Sequence, residues 1–380
     1  MSDSQRADNF PNCMSRARFR SPAGIVSIIS CAFCSRLASL CRRRRRLDFH
    51  QDALCLVTGG AGYIGSHACK ALSKSGFLPI TYDNLSRGHS WAVKWGPLEQ
   101  GDIQSAARLR EVLERHRPCA LMHFAAYAYV EESMRDPMRY YQNNVVGTAD
   151  MLRTLIEFGP IPVVFSSSCA IYGVPLTTPI SEDQPQQPIN PYGWSKLFTE
   201  RMLMDCATYG LRSVSLRYFN AAGADSEGDT GEAHSPETHL IPLVLRAAQE
   251  GTAVCVFGND YETADGSCVR DYVHVTDIAD AHVHALHYLL VGGGSVALNL
   301  ANSRGYSVLE VVNMAENVCG RPVKVDIAPR RAGDPSVPIG DAKRAKSSLN
   351  WTPTRSALET QILDAWNWVN GSGQQYCLRR

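Results

Sequence analysis

Charge of one sign is what this chain has least of: 38 Lys and Arg stand against 37 Asp and Glu in 380 residues, a net charge of +1. A nucleic-acid surface needs a basic excess to displace counterions from phosphates, so that class of partner is excluded. Long apolar runs are missing too. A spanning helix needs roughly 20 apolar residues with few charges. The best candidate, Ile25–Cys41, is broken by Arg36 and followed by the basic run Arg42–Arg46. A secretory signal carries its positive charge before the apolar segment, not after it. No stable membrane insertion is expected. Cysteine is not scarce, at 13 residues, but paired spacing is. Cys31-x-x-Cys34 has no second pair to complete a ligand set, so no metal is expected. Cys55, Cys119, Cys255 and Cys319 lie inside apolar runs, which reads as buried free thiols in a reducing cytoplasm.

An apolar content of 44% is enough to fill a sizeable core. Residues 1–51 read as a disordered extension, with an Arg-rich transit peptide or a membrane-surface anchor as the alternatives. From Ala53 onward, short apolar runs alternate with amphipathic stretches, as in a parallel βαβ sheet. Strands are predicted at Ala53–Val57, Pro79–Tyr82, Ala120–Phe124, Val163–Ser167 and Ser213–Tyr218. Helices are predicted at Ser66–Lys74, Ala106–His116, Asn144–Phe158 and Trp194–Tyr209. This alternation predicts an α/β fold with a doubly wound parallel sheet and ligands at the carboxyl ends of its strands. Beyond Asn220 the rhythm loosens into a Gly- and acid-rich loop (Gly223–Glu237), a helix from near Leu240, and a strand Ala253–Phe257. A Gly266–Arg270 loop, a strand Ala297–Leu300 and a helix Val308–Cys319 follow. The expected organisation is a dinucleotide-binding domain over 52–220 and a smaller C-terminal α/β substrate domain over 221–372, with some crossover of segments between them.

The first predicted strand runs into Thr58-Gly59-Gly60-Ala61-Gly62-Tyr63-Ile64-Gly65 and then a helix. Of the glycines that include Gly59 and Gly62, one allows a tight turn and one a close approach of backbone to a pyrophosphate, and Gly65 lets helix and strand pack closely. The helix N-terminus offers free N–H groups to the phosphates. Asp83 ends the next strand, where a carboxylate meets the adenosine ribose hydroxyls, which favours NAD over its 2′-phosphorylated form. Downstream, Tyr192 and Lys196 stand one helical turn apart and share a face, 25 residues after Ser166-Ser167-Ser168. An ammonium there can stabilise a phenolate whose ordinary pKa is about 10, and a strand-end serine can hold the oxygen that the tyrosine deprotonates.

Together with Tyr82-Asp83-Asn84-Leu85, Arg217-Tyr218-Phe219-Asn220, Phe257-Gly258-Asn259-Asp260-Tyr261, Val269-Arg270-Asp271-Tyr272 and Ala328-Pro329-Arg330-Arg331-x-Gly333-Asp334, these motifs resemble the UDP-glucose 4-epimerase branch of the extended short-chain dehydrogenase/reductase family. The likeness runs from about Ala53 to about Val369. It implies a Rossmann-type domain with tightly held NAD, contacted by Tyr63, Ile64, Asp83, Asn84, Asp102, Ile103, Phe124, Ala125, Ala126, Asn143, Lys196 and Phe219. It implies catalysis by Ser168, Tyr192 and Lys196. The UDP-sugar would be lined by Ser168, Tyr192, Asn220, His239, Leu240, Phe257, Arg270, Tyr272, Arg331 and Asp334. Arginine forks suit a pyrophosphate, and Phe257 offers an apolar face to a uracil ring. The implied reaction is reversible inversion at C4 of the sugar through a 4-keto intermediate, in a homodimer.

The pattern departs from the family at three places. His239 stands where Asn is frequent, and reads as a hydrogen-bonded residue of the sugar pocket. Glu131 replaces a glycine and adds a carboxylate close to the expected nicotinamide edge. Pro338 stands where a tyrosine restricts the pocket in some members, which leaves UDP-N-acetylhexosamines or UDP-pentoses as alternative substrates. A nucleotide-sugar 4,6-dehydratase would carry an Asp-Glu pair after its strand-end hydroxyl, and Cys169-Ala170 stands there instead. A non-catalytic dinucleotide-binding protein would have no need of both Tyr192 and Lys196.

Overall fold

The computed structural model describes residues 53–330 and 337–377. The extension 1–51, Arg331 and Asp334 lie outside the described residues. In chain order the strands are β1 (Ala53–Thr58), β2 (Phe77–Asp83), β3 (Leu98–Gln100), β4 (Ala120–His123), β5 (Val163–Ser168) and β6 (Ser213–Tyr218). Then come β7 (Asn220–Ala222), β8 (Ala253–Phe257), β9 (Val269–His274), β10 (Val296–Leu300), β11 (Gly305–Ser307) and β12 (Lys324–Ala328). The longer helices are α1 (Tyr63–Lys74), α2 (Ala106–His116), α3 (Gly147–Phe158), α4 (Pro191–Asp205), α5 (Leu240–Glu250), α6 (Val275–Leu290), α7 (Val308–Cys319) and α8 (Leu358–Asn370).

Seven strands form one parallel sheet in the order β10-β6-β5-β4-β1-β2-β3. The order reverses between β1 and β4, which opens a crevice at their carboxyl ends, as expected of a doubly wound sheet. Side chains alternate across the strands. Cys55 and Val57 therefore face a core completed by Leu72 of α1 and by Ile278 and Leu286 of α6. Leu56 faces the opposite core with Leu109 and Leu113 of α2 and Met151 and Leu155 of α3.

Two small sheets, β11-β9-β7 and β12-β8, build the substrate side with α5, α7 and α8. Leucine and valine positions of those three helices (Val244, Leu245, Val311, Val312, Leu358) close a third core.

Several expectations are corrected here. The Gly266–Arg270 loop gives way to strand at Val269, and β9 leads directly into α6, an element the sequence pattern did not reveal. That helix is buried around most of its girth, including His282 at 0% exposure, so it has no clean polar face for periodicity to detect. Ahead of α3 the chain forms a π-helical turn over Tyr141–Val146, so the predicted helix from Asn144 begins in wider geometry. Eight cysteines among the described residues are free thiols, but Cys119 and Cys319 are only half-buried, and Cys255 is exposed because β8 lies in a two-stranded sheet with an open face.

Candidate active site

The glycine loop is built by close approach. Gly59 has φ of +74°, and a Cβ there would stand 2.5 Å from the Ala125 backbone nitrogen. A Cβ on Gly65 would meet the Gly59 carbonyl oxygen at 2.1 Å. Gly62 caps α1 without a side chain, leaving first-turn N–H groups open toward the crevice. Asp83 sits beside them at the end of β2. Its carboxylate accepts the Ala61 N–H at 3.1 Å and the Leu85 N–H at 2.8 Å, while burial pushes its pKa up. Such a glycine cradle, with a carboxylate one strand away, fits the pyrophosphate and ribose of a dinucleotide.

The remaining residues expected at the cofactor lie along the same edge. Asn84 donates to Asp102 at 2.8 Å, and Ile103 is buried behind them. Phe124, Ala125 and Ala126 continue from β4, and Phe219 follows β6. Asn143 rides on the π-helical turn, donating to Asn144 at 2.9 Å, and Asn144 in turn ties Tyr127 to Ser195. Ile64 is half-buried in the first turn of α1. The Tyr63 phenol turns away to donate to the Gly223 carbonyl at 2.6 Å, stitching the glycine loop to the chain after β7.

Ser168 ends β5, and Tyr192 and Lys196 lie on the first turns of α4. That helix starts where it does because Pro191 fills its first position and the Asn190 side chain accepts the Gly193 N–H at 2.8 Å. The Tyr192 phenol lies close enough to Ser168 for the serine to favour its ionised form. Lys196 donates to the Ser166 carbonyl at 2.8 Å, with its Nζ 5.8 Å from the Tyr192 ring centre. Burial holds the phenol up at about 12, relieved in part by Ser168. Burial also drives Lys196 down to about 7, opposed by Glu200. The protein alone thus poises a neutral phenol beside a partly charged lysine, and the lowering of the tyrosine that the Tyr/Lys spacing suggests does not arise without a further positive charge.

The residues expected at the substrate come from β7, β9, α5 and β8. Asn220 pairs in register with Tyr272 and donates to the Asp271 carbonyl at 3.0 Å. Arg270 and Tyr272 share one face of β9, and Arg270 is near enough to bias the Cys169 thiol beside Ser168. Asp271, on the other face, is fully buried. Burial raises it to about 7 although it accepts N–H groups from Asn302, Gly340 and Ser303. Leu240 opens α5 behind its capping residue His239, and Phe257 ends β8. Pro338 is buried in a segment whose Gly340 bridges to Ile180. Glu131 does not point at the cofactor edge: its side chain is 68% exposed and pairs with Arg135 one turn on.

Two groups of residues escaped the sequence reading. Glu200, a turn beyond Lys196, is buried with Arg217 at 2.6 Å and also receives the Ser167 hydroxyl, so it braces the ends of β5 and β6. Glu232, His234 and Glu237 gather around His239, and only their crowding within eight positions could have signalled it.

A doubly wound sheet with a glycine cradle, a carboxylate at the end of the next strand and a Ser/Tyr/Lys constellation at its carboxyl edge defines a dinucleotide-dependent enzyme of hydride transfer. The NAD dependent epimerase/dehydratase family model matches residues 55–301, and the chain belongs to that family. It is 52% identical over 328 residues, 85% of this chain and 99% of the relative, to the UDP-glucose 4-epimerase of Rhizobium meliloti (strain 1021). Among solved structures, that of UDP-glucose 4-epimerase from Brucella ovis in complex with NAD is 49% identical, with a TM-score of 0.81, covering 86% of this chain and 99% of that one. The Stenotrophomonas maltophila UDP-glucose-4-epimerase with bound NAD and formylated UDP-arabinopyranose is 37% identical at a TM-score of 0.81, covering 84% and 98%. The motif resemblance to the 4-epimerase branch is borne out.

Proposed function

We infer that the chain is an isomerase that interconverts UDP-glucose and UDP-galactose by inverting C4 of the sugar through a 4-keto intermediate, with NAD as a retained cofactor. One observation carries this reading: Tyr192 lies beside Ser168 with Lys196 one turn on, near the glycine cradle, and no acid follows Ser168. Cys169 is half-buried with its thiol pushed up to about 12 by desolvation, and Ala170 donates only its backbone N–H to Ser168. Neither can supply the proton transfer that elimination of water requires.

The glycine cradle, Asp83, Asn84, Asp102 and Asn143 would hold the dinucleotide, and Lys196 would reach its nicotinamide ribose. When bound, NAD takes the hydride from C4 of the sugar and gives it back to the opposite face of the ketone. Ser168 orients the sugar 4-oxygen. Tyr192 would remove its proton and later return it, with the Lys196 ammonium, and the positive charge that bound NAD would add, favouring the phenolate over its buried neutral form. Asn220, Leu240, Phe257, Arg270 and Tyr272 would line the UDP portion, with Arg331 and Asp334 proposed on the resemblance alone.

Trp194 and Phe198, successive turns of α4, are 37% and 42% exposed beside Tyr141, and Met138 is 69% exposed nearby. This apolar patch supports a homodimer through helices of the cofactor domain. No helix among the described residues is long and apolar enough to cross a membrane, and free thiols throughout suit a reducing cytoplasm.

The deciding assay takes protein purified without added cofactor and supplies UDP-galactose. UDP-glucose should form, and denaturation should release NAD. Tyr192→Phe should lower turnover by roughly 10²–10⁴-fold while NAD stays bound. A dehydrated 4-keto product, or near-normal turnover in that variant, would overturn the assignment.

A further inference from the structure

The segment Glu232-Ala-His234-Ser-Pro-Glu237-Thr-His239 places four ligand-type side chains in eight residues, between β7 and α5. Their donor atoms all lie within 4.8 Å of one another. His234 Nδ1 stands 2.8 Å from Glu232 Oε1 and 3.9 Å from Glu237 Oε1, and His239 Nδ1 is 3.7 Å from Glu237 Oε1 and in contact with Glu232 Oε1. Four donors bound to one ion at about 2.0–2.2 Å in tetrahedral geometry stand roughly 3.3–3.6 Å apart. The separations straddle that range.

Burial makes the arrangement costly unless positive charge enters it. The Glu232 and Glu237 side chains are only 6% and 4% exposed, and burying two carboxylates side by side is strongly unfavourable without compensation. Arg87 donates to the Ser235 carbonyl and is paired with Glu132 at 2.6 Å, and Arg246 lines the cavity beside Glu232, His234 and Glu237. His234 Nδ1 is buried and lacks a hydrogen-bond partner, since it lies within reach of Glu232 but off the line that an N–H would need. A ring nitrogen facing two carboxylate oxygens is placed as a ligand lone pair would be.

We propose that Glu232, His234, Glu237 and His239 form a closed, structural site for a divalent transition metal of the zinc class. Two imidazole nitrogens with two carboxylate oxygens suit Zn²⁺ or Co²⁺, not a hard ion such as Mg²⁺ or Ca²⁺. The ion clasps a junction. The His234 ring stands edge-on to Tyr63 at 6.1 Å and to Tyr129 at 5.7 Å. The Ala233 carbonyl bonds His89 at 2.8 Å, and the Glu232 carbonyl receives the Trp368 indole N–H at 2.9 Å. The site would thus fix the start of α5 against α1, the loop after β2, and α8.

Protons are the rival occupants. Burial alone would lower His239, but Glu232 beside it overrides this and pushes it up to about 9, so a metal-free ion-pair network is the alternative to be tested. Untagged, full-length NAD-bound protein is analysed by plasma mass spectrometry after dialysis. It is then stripped with chelator and titrated with Co²⁺. The expected results are about one zinc per chain as purified and, on titration, the intense visible bands of tetrahedral Co²⁺. His234→Gln should abolish those bands and weaken Co²⁺ binding at least about tenfold, with circular dichroism and NAD content retained; Glu237→Gln serves if His234→Gln does not fold. A metal-free wild type that gives no tetrahedral spectrum with Co²⁺, or an unchanged spectrum in both variants, leaves the cluster to protons and overturns the proposal.

Discussion

Lys196 serves two ends that pull against each other. Its ammonium belongs at the reacting edge, yet its surroundings are a dry interior of Phe165, Tyr192 and the Ser166 carbonyl. With its pKa brought down to about 7, the folded state holds fewer protons than the unfolded chain between about 7 and 10.4. Stability therefore rises with pH across that window and is lost as pH falls through it. Lys196→Met is expected to raise the melting temperature of cofactor-stripped protein at pH 7, with the gain shrinking toward pH 10, while epimerisation is lost. Calorimetry over that range checks it, and a lower melting temperature throughout would refute the burial argument. The Ser168, Tyr192 and Lys196 constellation was legible because its meaning rests on spacing along one helix and one strand end. Glu200 was not, because its role depends on Arg217, which only the pairing of β5 with β6 brings alongside.

Among the elements, the turn from β1 into α1 has the least slack. A methyl on Gly65 would lie 2.1 Å from the Gly59 carbonyl, so Gly65→Ala must move either the strand end or the helix. The expected outcome is protein that folds with a lower melting temperature and retains at least about tenfold less NAD, read by absorbance after denaturation. Unchanged NAD content would mean that the turn does not carry the dinucleotide. This element was readable in advance because glycine spacing, strand and helix coincide. β3, β7 and β11, of three residues each, were not: they are too short for an alternating pattern to form and exist only through their partners.

For the molecule as a whole, the proposed dimer rests on the exposed apolar face of α4. Trp194→Asp with Phe198→Asp should shift light-scattering mass from dimer to monomer at micromolar concentration, with NAD content unchanged; persistence of the dimer would move the interface elsewhere. The seventh strand has a different reach. β10 lies far along the chain from β6, yet the two pair over Val296–Leu300 and Val214–Tyr218, and α6 covers the sheet from the same late segment. During synthesis the cofactor half therefore cannot close when its own first two hundred residues have emerged. Until Leu300 clears the ribosome, the nascent chain carries an open β6 edge and an uncovered valine and leucine face, an interval in which chaperone protection matters most.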